Sequence, residues 1–461
     1  MEIRFLGAAK EVTGSMHMVS IDDFDIILDA GKFSGPRKIE REKNGNFFFN
    51  PEETERIILS HSHLDHSGRL PILMRHGFHG KIFTTSATAD VMDVILRDAA
   101  EIEEKYIDML RETSEDETVE PLFTYSDVKA IYSHLITYDY YKGFNLRDDI
   151  TVTFYDAGHI LGSALTKLTI QGKNSEINLL YTGDVGRPAM PFVRDPDMVK
   201  DVNYLIIEAT YGDSLHESLN LAIEKIKRLV IWIYRHDGKL IVPSFALGRT
   251  QNLIYILNYL VEHGHIPVVP TYIDSPLATD IVDLYRSHKE CYDEETWELI
   301  NSGDNPLEFK GLHFVKSDSE SRDLDYLRGP AIIISSSGMC TGGRVVRHLY
   351  HYIDKRNTAV LFTGYQAEGT LGREILEGAR YIKLYGKRLS VRARIEQING
   401  LSAHADQKEL LNYIRHLGNI KKIFLVHGEK RALNTFSKIL KKNCYDVKIP
   451  SLGNVWKLEK P

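Results

Sequence analysis

The run HSHLDH at residues 61–66 places three histidines and an aspartate directly after the apolar stretch RIILS. The stretch has the composition of a β-strand, so these polar side chains follow its carboxyl end. Side chains so close in sequence can converge on one point, and His with Asp suits Zn²⁺ or Mn²⁺. A histidine-rich surface turn is the ordinary alternative, but chance rarely produces this spacing. We therefore predict a metal site at a strand end.

Four further residues follow predicted strands in the same way: Asp29 after FDIIL, His159 after TFYDAG, Asp184 after NLLYTG and His427 after IFLV. Ligands of α/β sheets collect where the strands end. Taken singly, each has an ordinary alternative, because an Asp before Gly is commonly a turn former and a lone His is commonly structural. Taken together with residues 61–66, they favour one site.

The strand pattern changes once along the chain. Up to Glu208, short strands are interrupted by one helical stretch from Ser86 to Leu110. After Glu208, strands such as KLIVPSF, PAIIISSSG and TAVLFTGY alternate with helical stretches such as TQNLIYILNYLVEHG. This alternation predicts βαβ units and a mostly parallel sheet. A last strand, VRARIEQI, a helix, QKELLNYIRHL, and a strand, IFLVHGE, follow, so a second domain is expected to be inserted rather than appended.

Composition narrows the class of protein. Hydrophobic residues are 43% and charged residues 26%, which is ordinary for a globular chain, and no apolar run approaches the ~18 residues of a membrane helix. Three cysteines cannot form a disulfide framework, and the N-terminus does not resemble a signal peptide, so we expect a cytoplasmic protein. The net charge of −7 argues, on its own, against a nucleic-acid binder.

The motifs resemble those of the metallo-β-lactamase superfamily, in which HSHLDHSG, Asp29, His159 and Asp184 match motifs one to four. The resemblance extends nearly over the whole chain and implies an α/β fold. The implied architecture is an αββα sandwich with an inserted, mostly parallel α/β domain.

The second half resembles the β-CASP branch of nucleic-acid nucleases. Glu208 in IIEATYGD, His404 in LSAHAD and His427 in FLVHGE are similar to its motifs A, B and C. The segments PSFALGRTQ, ISSSGMCTGGR and GYQAEGTLGR also look like that branch.

The resemblance implies the metal ligands: one Zn²⁺ on His61, His63 and His159, a second on Asp65, His66 and His427, and Asp184 as the bridge. Mn²⁺ is a substitute of similar preference. Asp29 is expected to orient the ligand histidines. The predicted catalytic residues are His404, Glu208 and Asp65.

The implied chemistry is attack on phosphorus by a hydroxide shared between the two metals, leaving a 5′-phosphate and a 3′-hydroxyl. His404, supported by Glu208, is the candidate donor of a proton to the leaving oxygen.

The predicted partner is a single strand of RNA. Basic residues are most frequent between Arg344 and Arg394 and are interleaved with Tyr381 and Tyr385, which suits phosphate neutralisation with base stacking, although a solvated charged face is the alternative. The loop SSSGMCTGG resembles a phosphate cradle. Ser402 is a candidate cap for a helix whose N-terminus would attract a phosphate. The predicted RNA contacts are Ser402, His404, Arg249, Ser337, Arg344 and Arg373.

The leading function is therefore a ribonuclease of RNA processing or decay, similar to the 73-kDa subunit of the cleavage and polyadenylation specificity factor. Endonucleolytic and 5′–3′ exonucleolytic cleavage are both open. His427 favours RNA, because DNA-repair members of the family typically carry valine there. A DNA nuclease, a small-molecule metallohydrolase and a non-catalytic scaffold are the alternatives. The long insertion after Glu208 disfavours the metallohydrolase, and the complete ligand set disfavours the scaffold.

The predicted domains are a metallo-β-lactamase domain at 1–208 and 388–461 and a β-CASP domain at 209–387, with the active site in the cleft between them. We expect the short bacterial-type form, without the KH domains or the C-terminal dimerisation domain of larger relatives. The sequence does not decide between a monomer, a homodimer and a complex with RNA-processing partners.

Overall fold

The strands are those of a computed structural model that describes residues 1–113, 120–173 and 175–459. In the first part of the chain they are β1 (Glu2–Phe5), β2 (His17–Ile21), β3 (Phe24–Leu28), β4 (Arg56–Ile58), β5 (Lys81–Thr84), β6 (Leu135–Thr137), β7 (Phe144–Arg147), β8 (Ile150–Asp156), β9 (Ala164–Gln171), β10 (Glu176–Tyr181) and β11 (Tyr204–Glu208). They continue as β12 (Lys239–Pro243), β13 (Thr271–Asp274), β14 (Leu312–Phe314), β15 (Ala331–Ser335), β16 (Thr358–Phe362), β17 (Tyr381–Leu384), β18 (Lys387–Ser390), β19 (Arg394–Gln397), β20 (Lys422–Val426), β21 (Val447–Lys448) and β22 (Val455–Lys457).

The helices of the same residues are α1 (Arg37–Gly45), α2 (Leu64–Ser67), α3 (Leu70–Arg75), α4 (Ser86–Thr113), α5 (Tyr125–Ile131), α6 (Leu219–Arg235), α7 (Arg249–Glu262), α8 (Pro276–Ser287), α9 (Glu294–Asn301), α10 (Asp318–Asp323), α11 (Arg344–Tyr352), α12 (Leu371–Leu376), α13 (Gln407–His416) and α14 (Lys430–Lys442). Among these described helices, none is long and apolar enough to cross a membrane.

Contacts divide the chain into two compact units. The first comprises Met1–Pro188, Arg194–Leu215 and His404–Pro461, and the second comprises Ala189–Val193 and His216–Ala403. The domain borders predicted at 208/209 and 387/388 stay a prediction. In the structure the chain returns to the first unit at residue 404, after β19 has paired with β16 of the second unit.

The first unit is built from two seven-stranded sheets, with strand orders β22-β1-β2-β3-β4-β5-β6 and β21-β20-β11-β10-β9-β8-β7. Burial alternates strictly along β8, so its inward residues Ile150, Val152 and Phe154 pack in one core with Phe5 and Leu28 of the other sheet. Each such side chain contributes about 1.5–3 kcal/mol on burial. Helices α3 to α5 cover one outer face, and α13 and α14 cover the other. The expected αββα sandwich is confirmed.

The second unit is built on a six-stranded sheet in the order β14-β13-β15-β12-β16-β19, and its strand pairs are all parallel. The predicted mostly parallel sheet is therefore confirmed. Every residue of β12, β15 and β16 is buried, because central strands of a parallel sheet are covered on both faces. Strands β17 and β18 form a separate two-stranded sheet.

Candidate metal centre

The predicted ligands all lie in the first unit, at or just beyond the carboxyl ends of strands. Residues 61–66 follow β4, and the other three follow strands of the second sheet: His159 after β8, Asp184 after β10 and His427 after β20. Glu208 is the last residue of β11, which lies between β10 and β20. The two packed sheets thus bring the ends of five strands to one place.

One group of ligand atoms contains His61, His63, His159 and Asp184. His63 Nδ1 lies 3.1 Å from His61 Nε2 and 3.3 Å from His159 Nε2. Asp184 Oδ2 lies 3.4 Å from His61 Nε2 and 3.5 Å from His159 Nε2. Ligands about 2.0–2.1 Å from a tetrahedral Zn²⁺ are separated by about 3.3–3.4 Å. The spacing of these four atoms therefore fits a tetrahedral ion.

A second group contains Asp65, His66 and His427. His427 Nε2 lies 3.3 Å from Asp65 Oδ2, and His66 Nε2 lies 3.3 Å from Asp184 Oδ1. The two oxygens of Asp184 thus face different groups. The groups match the two ligand sets named from the sequence; their ligand roles stay a prediction.

The buried polar atoms of these two groups indicate whether a metal ion fits between them. His66 Nε2 and Asp184 Oδ1 are buried, and neither accepts or donates a hydrogen bond within the described residues. Leaving a polar atom buried and unsatisfied costs about 1–3 kcal/mol. A cation between the ring nitrogens and the carboxylate oxygens removes that cost, and the mixed nitrogen and oxygen set suits Zn²⁺ or Mn²⁺.

Burial lowers the pKa of His61, His63 and His159, whereas nearby carboxylates outweigh burial and raise the pKa of His66 and His427. The pKa of His63 is lowered to about 3, because burial excludes the charged form and His61 adds repulsion. The imidazole is therefore neutral at physiological pH, which is the form that binds metal.

Asp29 orients His66 through a short hydrogen bond, with 2.6 Å between Asp29 Oδ2 and His66 Nδ1. The same carboxylate accepts hydrogen bonds from the Ser60 amide (2.7 Å), the Ser60 hydroxyl (2.8 Å) and the Tyr181 hydroxyl (2.5 Å). Holding Nδ1 in this way turns Nε2 of His66 toward Asp184. The sequence analysis did not name Ser60 or Tyr181. Their only signals are their positions, one residue before His61 and three before Asp184.

His404 stands beside the first ligand group. Its Nδ1 lies 3.0 Å from Glu208 Oε1 and 3.9 Å from Asp184 Oδ2, and its ring centre is 4.6 Å from that of His159. Burial opposes a positive charge on the ring, but the carboxylates of Glu208 and Asp184 outweigh it and raise the pKa of His404 to about 9. A raised pKa favours the protonated imidazole; the role of His404 as a proton donor stays a prediction.

Glu208 is fully buried and firmly held. Its Oε1 accepts a hydrogen bond from the Val185 amide at 2.8 Å, and its Oε2 accepts one from the Thr210 amide at 3.2 Å. Thr210 also places its hydroxyl 3.0 Å from His427 Nδ1. Thr210, which the sequence analysis did not name, therefore connects the Glu208–His404 pair to the second ligand group.

One expectation about this region is wrong. Ser402 does not cap the following helix: α13 begins at Gln407, and its cap is Asp406, whose carboxylate accepts the Lys408 and Glu409 amides at 2.9 Å each. Because a carboxylate already occupies these donors, the helix N-terminus is not open to a phosphate.

The remaining predicted RNA contacts, all in the second unit, have partners of their own. Arg344 binds Asp274 at 2.9 Å and Asp318 at 2.6 Å, and Arg373 binds Glu377 at 2.6 Å. The Ser337 hydroxyl accepts the Thr341 amide at 3.0 Å. Arg249 begins α7, and its guanidinium lies against Gly364. Ser402 precedes the return to the first unit, and its amide binds the Asn399 carbonyl at 3.3 Å. Contact with RNA stays a prediction for all five.

Comparison with known families agrees with this geometry. Residues 18–187 match a metallo-beta-lactamase superfamily domain, residues 250–375 a Beta-Casp domain, and residues 388–450 a Zn-dependent metallo-hydrolase RNA specificity domain.

Individual relatives match over nearly the whole chain. A protein named Ribonuclease TTHA0252 from Thermus thermophilus is 32% identical, over 98% of this chain and 99% of its own length. An RNase J-like protein from Methanocaldococcus jannaschii is 30% identical over 97% of both chains. Transcription termination factor FttA of the same archaeon is 31% identical, over 96% of this chain and 70% of its own.

A solved structure of a protein of unknown function from Enterococcus faecalis shares the fold, with a TM-score of 0.56 and 12% identity over 99% of both chains. Fold, site geometry and relatives agree. The chain belongs to the β-CASP nuclease family of the metallo-β-lactamase superfamily and is a metal-dependent hydrolase.

Proposed function

We propose that this protein is a zinc-dependent ribonuclease that hydrolyses single-stranded RNA and leaves 5′-phosphate and 3′-hydroxyl ends. One observation carries the proposal: Asp184 turns one oxygen toward each of two groups of ligand atoms, and His404 stands beside them with Glu208. RNA as the substrate is supported by the match to an RNA specificity domain and by a relative named as a ribonuclease.

The residues that would hold two Zn²⁺ ions are the two groups described above. His61, His63 and His159 with one oxygen of Asp184 form the first site. Asp65, His66 and His427 with the other oxygen form the second. When bound, the ions supply Lewis acidity, which lowers the pKa of water and offsets charge on the scissile phosphate. Asp184 then sets the separation of the sites, and Asp29 keeps His66 in the ligating orientation.

The chain itself supplies the proton for the leaving oxygen. Glu208 binds Nδ1 of His404, so the other ring nitrogen, Nε2, lies on the side of the ring away from Glu208. With a pKa of about 9, the ring carries its proton at neutral pH. The 3′ oxygen takes this proton as its bond to phosphorus breaks, and such positioned donors accelerate reactions by about 10²–10⁴-fold. The firm hold on Glu208 keeps the donor in place.

The test is cleavage by the purified full-length protein with Zn²⁺ or Mn²⁺ present. The substrates are end-labelled single-stranded RNA, DNA of the same sequence and RNA with a 5′-triphosphate. Ladders from internal cuts indicate an endonuclease, and mononucleotides released from 5′-monophosphate RNA indicate an exonuclease. Products that can be ligated through a 5′-phosphate support the proposed ends.

Two outcomes contradict the proposal. Cleavage of DNA at the same rate as RNA or faster would make the protein a DNA nuclease. Failure to cleave any phosphodiester bond with either metal present would remove the nuclease function.

A further inference from the structure

The two-stranded sheet β17–β18 in the second unit combines positive charge with exposed aromatic rings. We call residues 380–390 the basic hairpin. From 378 to 395 the sequence contains six Lys and Arg residues and no Asp or Glu, although the whole chain has a net charge of −7. The positive charge of this segment is therefore local and concentrated.

The hairpin has one buried and one exposed face. Ile382 and Leu384 point inward and pack in a core that includes Val345 and Leu349 of α11. Tyr381 and Lys383 alternate with them and are exposed. This alternation is that of a half-buried antiparallel pair, so the exposed side chains are held on a fixed platform.

The exposed face carries an electrostatic cost. Lys383 stands directly opposite Arg388 in the strand register, and both are exposed. Like charges directly opposite each other destabilise a sheet. The flanking Arg373 and Arg394 are each paired with a glutamate.

The hairpin's own cations lack such partners. Within the described residues, no carboxylate lies within ion-pair distance of Arg380, Lys383, Lys387 or Arg388. An anion bound to this face would remove the repulsion.

The aromatic rings show which kind of anion fits. Tyr381 is 49% exposed, and the Arg388 guanidinium lies 4.0 Å from its ring centre. Tyr385 is 66% exposed at the turn, with a φ of 47° that Gly or Asn normally takes. Tyr350 contacts its ring edge-on at 5.5 Å.

A depression of about 480 Å³ lies beside Tyr381. It is lined by Arg380, Tyr381, Lys383 and Arg388, with Glu374 as the one carboxylate at its border. Cations beside exposed rings suit a single-stranded nucleic acid, whose phosphates they neutralise and whose unstacked bases the rings can stack on. A duplex keeps its bases stacked and would leave the rings unused.

We propose that the basic hairpin is a binding site for single-stranded RNA, with Lys383 and Arg388 on backbone phosphates and Tyr381 and Tyr385 stacking on bases. The identity of the strand as RNA rests on the proposed function. The site itself rests on the charge, exposure and register of the hairpin.

Binding is tested with a fluorescein-labelled, unstructured 20-nucleotide RNA and the full-length Asp65→Ala protein, so that the RNA stays intact. In this background, Lys383→Glu is expected to weaken binding by about tenfold and to lower the slope of log Kd against log salt by roughly 0.7, the value for one phosphate contact. The same change puts Glu opposite Arg388 and is expected to keep or raise the Tm. Opposite effects on binding and stability separate a binding role from a structural one.

Aromatic stacking has its own variants. Tyr381→Ala is expected to weaken binding of the single strand by about 5- to 100-fold, and Tyr381→Phe is expected to restore it. Binding of the matched duplex is expected to be unaffected by both. The control is Lys142→Glu, which makes the same charge change at a lysine of the first unit that is 75% exposed; its Kd should stay within twofold of the parent.

The outcomes separate the two proposals. In proteins that retain Asp65, hydrolysis of bis(p-nitrophenyl) phosphate, which has one phosphate and no bases, reports the metal centre and should be the same with and without the hairpin changes. If it proceeds while Lys383→Glu and Tyr381→Ala both bind RNA within twofold of the parent, the hairpin proposal is overturned and the nuclease proposal stands. An effect of Lys383→Glu without one of Tyr381→Ala overturns the stacking. Binding of polyglutamate, which stands for an acidic protein, is measured with the same variants. If they lose polyglutamate binding and keep RNA binding, the hairpin is a surface for acidic proteins and the RNA proposal is overturned.

Discussion

The chain contains two buried clusters of His and Asp that differ in how their atoms are partnered. The metal centre of the first unit brings ring nitrogens together at 3.1–3.3 Å, and within the described part of the chain His66 Nε2 and Asp184 Oδ1 make no hydrogen bond. The second unit places His348 between two carboxylates, with Nε2 at 2.6 Å from Asp274 and Nδ1 at 3.1 Å from Asp325. We call the latter the ion-pair cluster.

Arginines complete the ion-pair cluster. Arg344 lies 2.9 Å from Asp274, and Arg347 lies 2.8 Å from Asp325. Its carboxylates thus have arginine partners inside the protein, whereas Asp184 of the metal centre faces ring nitrogens of His61, His66 and His159 at 3.3–3.5 Å. The residue types alone therefore do not identify a metal site; the two clusters differ in the partners of their carboxylates.

The largest expected effect is loss of a ligand. His63→Ala removes a ring nitrogen from the first group, so we expect RNA cleavage to fall by far more than the roughly 10–100-fold that loss of a ligand's supporting partner costs. Bound zinc, measured by mass spectrometry of the purified protein, should fall with it, while RNA binding survives. The matched control is His348→Gln in the ion-pair cluster, which should keep its zinc. A near-normal cleavage rate in His63→Ala would mean that the ligand assignment is wrong.

Removing the proton donor should have the next largest effect. His404→Ala is expected to slow single-turnover cleavage by about 10²–10⁴-fold, because the leaving oxygen loses its acid. The zinc content should stay at the wild-type level, since His404 belongs to neither ligand group. An unchanged single-turnover rate would exclude the role of His404 as the acid.

A smaller effect is expected from the support of His66. Asp29→Asn keeps the size of the side chain but weakens the charged hydrogen bond at 2.6 Å to His66 Nδ1. We expect zinc affinity, measured by competition with a chelator, to fall by about 10–100-fold. Asp325→Asn, the corresponding change beside His348, should leave zinc affinity unchanged. If both variants bind zinc like the wild type, Asp29 does not act through His66.

The sequence indicated which candidate ligands lie together, because they stand at strand ends, where a short motif already places several of them. Hydroxyl partners could not be predicted in this way. Tyr181 and Asp29 are 152 residues apart, and only the packing of the two sheets brings them to 2.5 Å. A tyrosine ending a strand has no pattern that names its partner.

One wrong expectation, the cap of α13, and one feature that was not predicted, the ion-pair cluster, have different causes. The cap of α13 can be predicted from the sequence, because Asp406 with Glu409 three residues later is a capping box. Ser402 lies too far upstream to be the cap. The ion-pair cluster could not be predicted from the sequence. Asp274 and His348 are 74 residues apart and meet only because β13 and β15 are neighbours in the parallel sheet and α11 follows β15. Long-range pairing of strands therefore limits what a single sequence reveals.

The smallest expected effect is a pH dependence of stability at the ion-pair cluster. Burial opposes a charge on His348, but hydrogen bonds to Asp274 and Asp325 outweigh it and raise the pKa of His348 above its ordinary value of 6.5. The stabilisation is thus fully present below pH 6.5 and is lost as the pH rises through the folded-state pKa, at 1.36 kcal/mol for each unit of pKa difference. We expect the Tm of the wild type to fall relative to that of His348→Gln as the pH rises from 6 toward 9. Taking the difference between the two proteins at each pH cancels the titration of the metal-centre histidines, which both share. Parallel Tm curves would show that His348 is neutral at all these pH values, and the arginines alone would then neutralise the carboxylates of the ion-pair cluster.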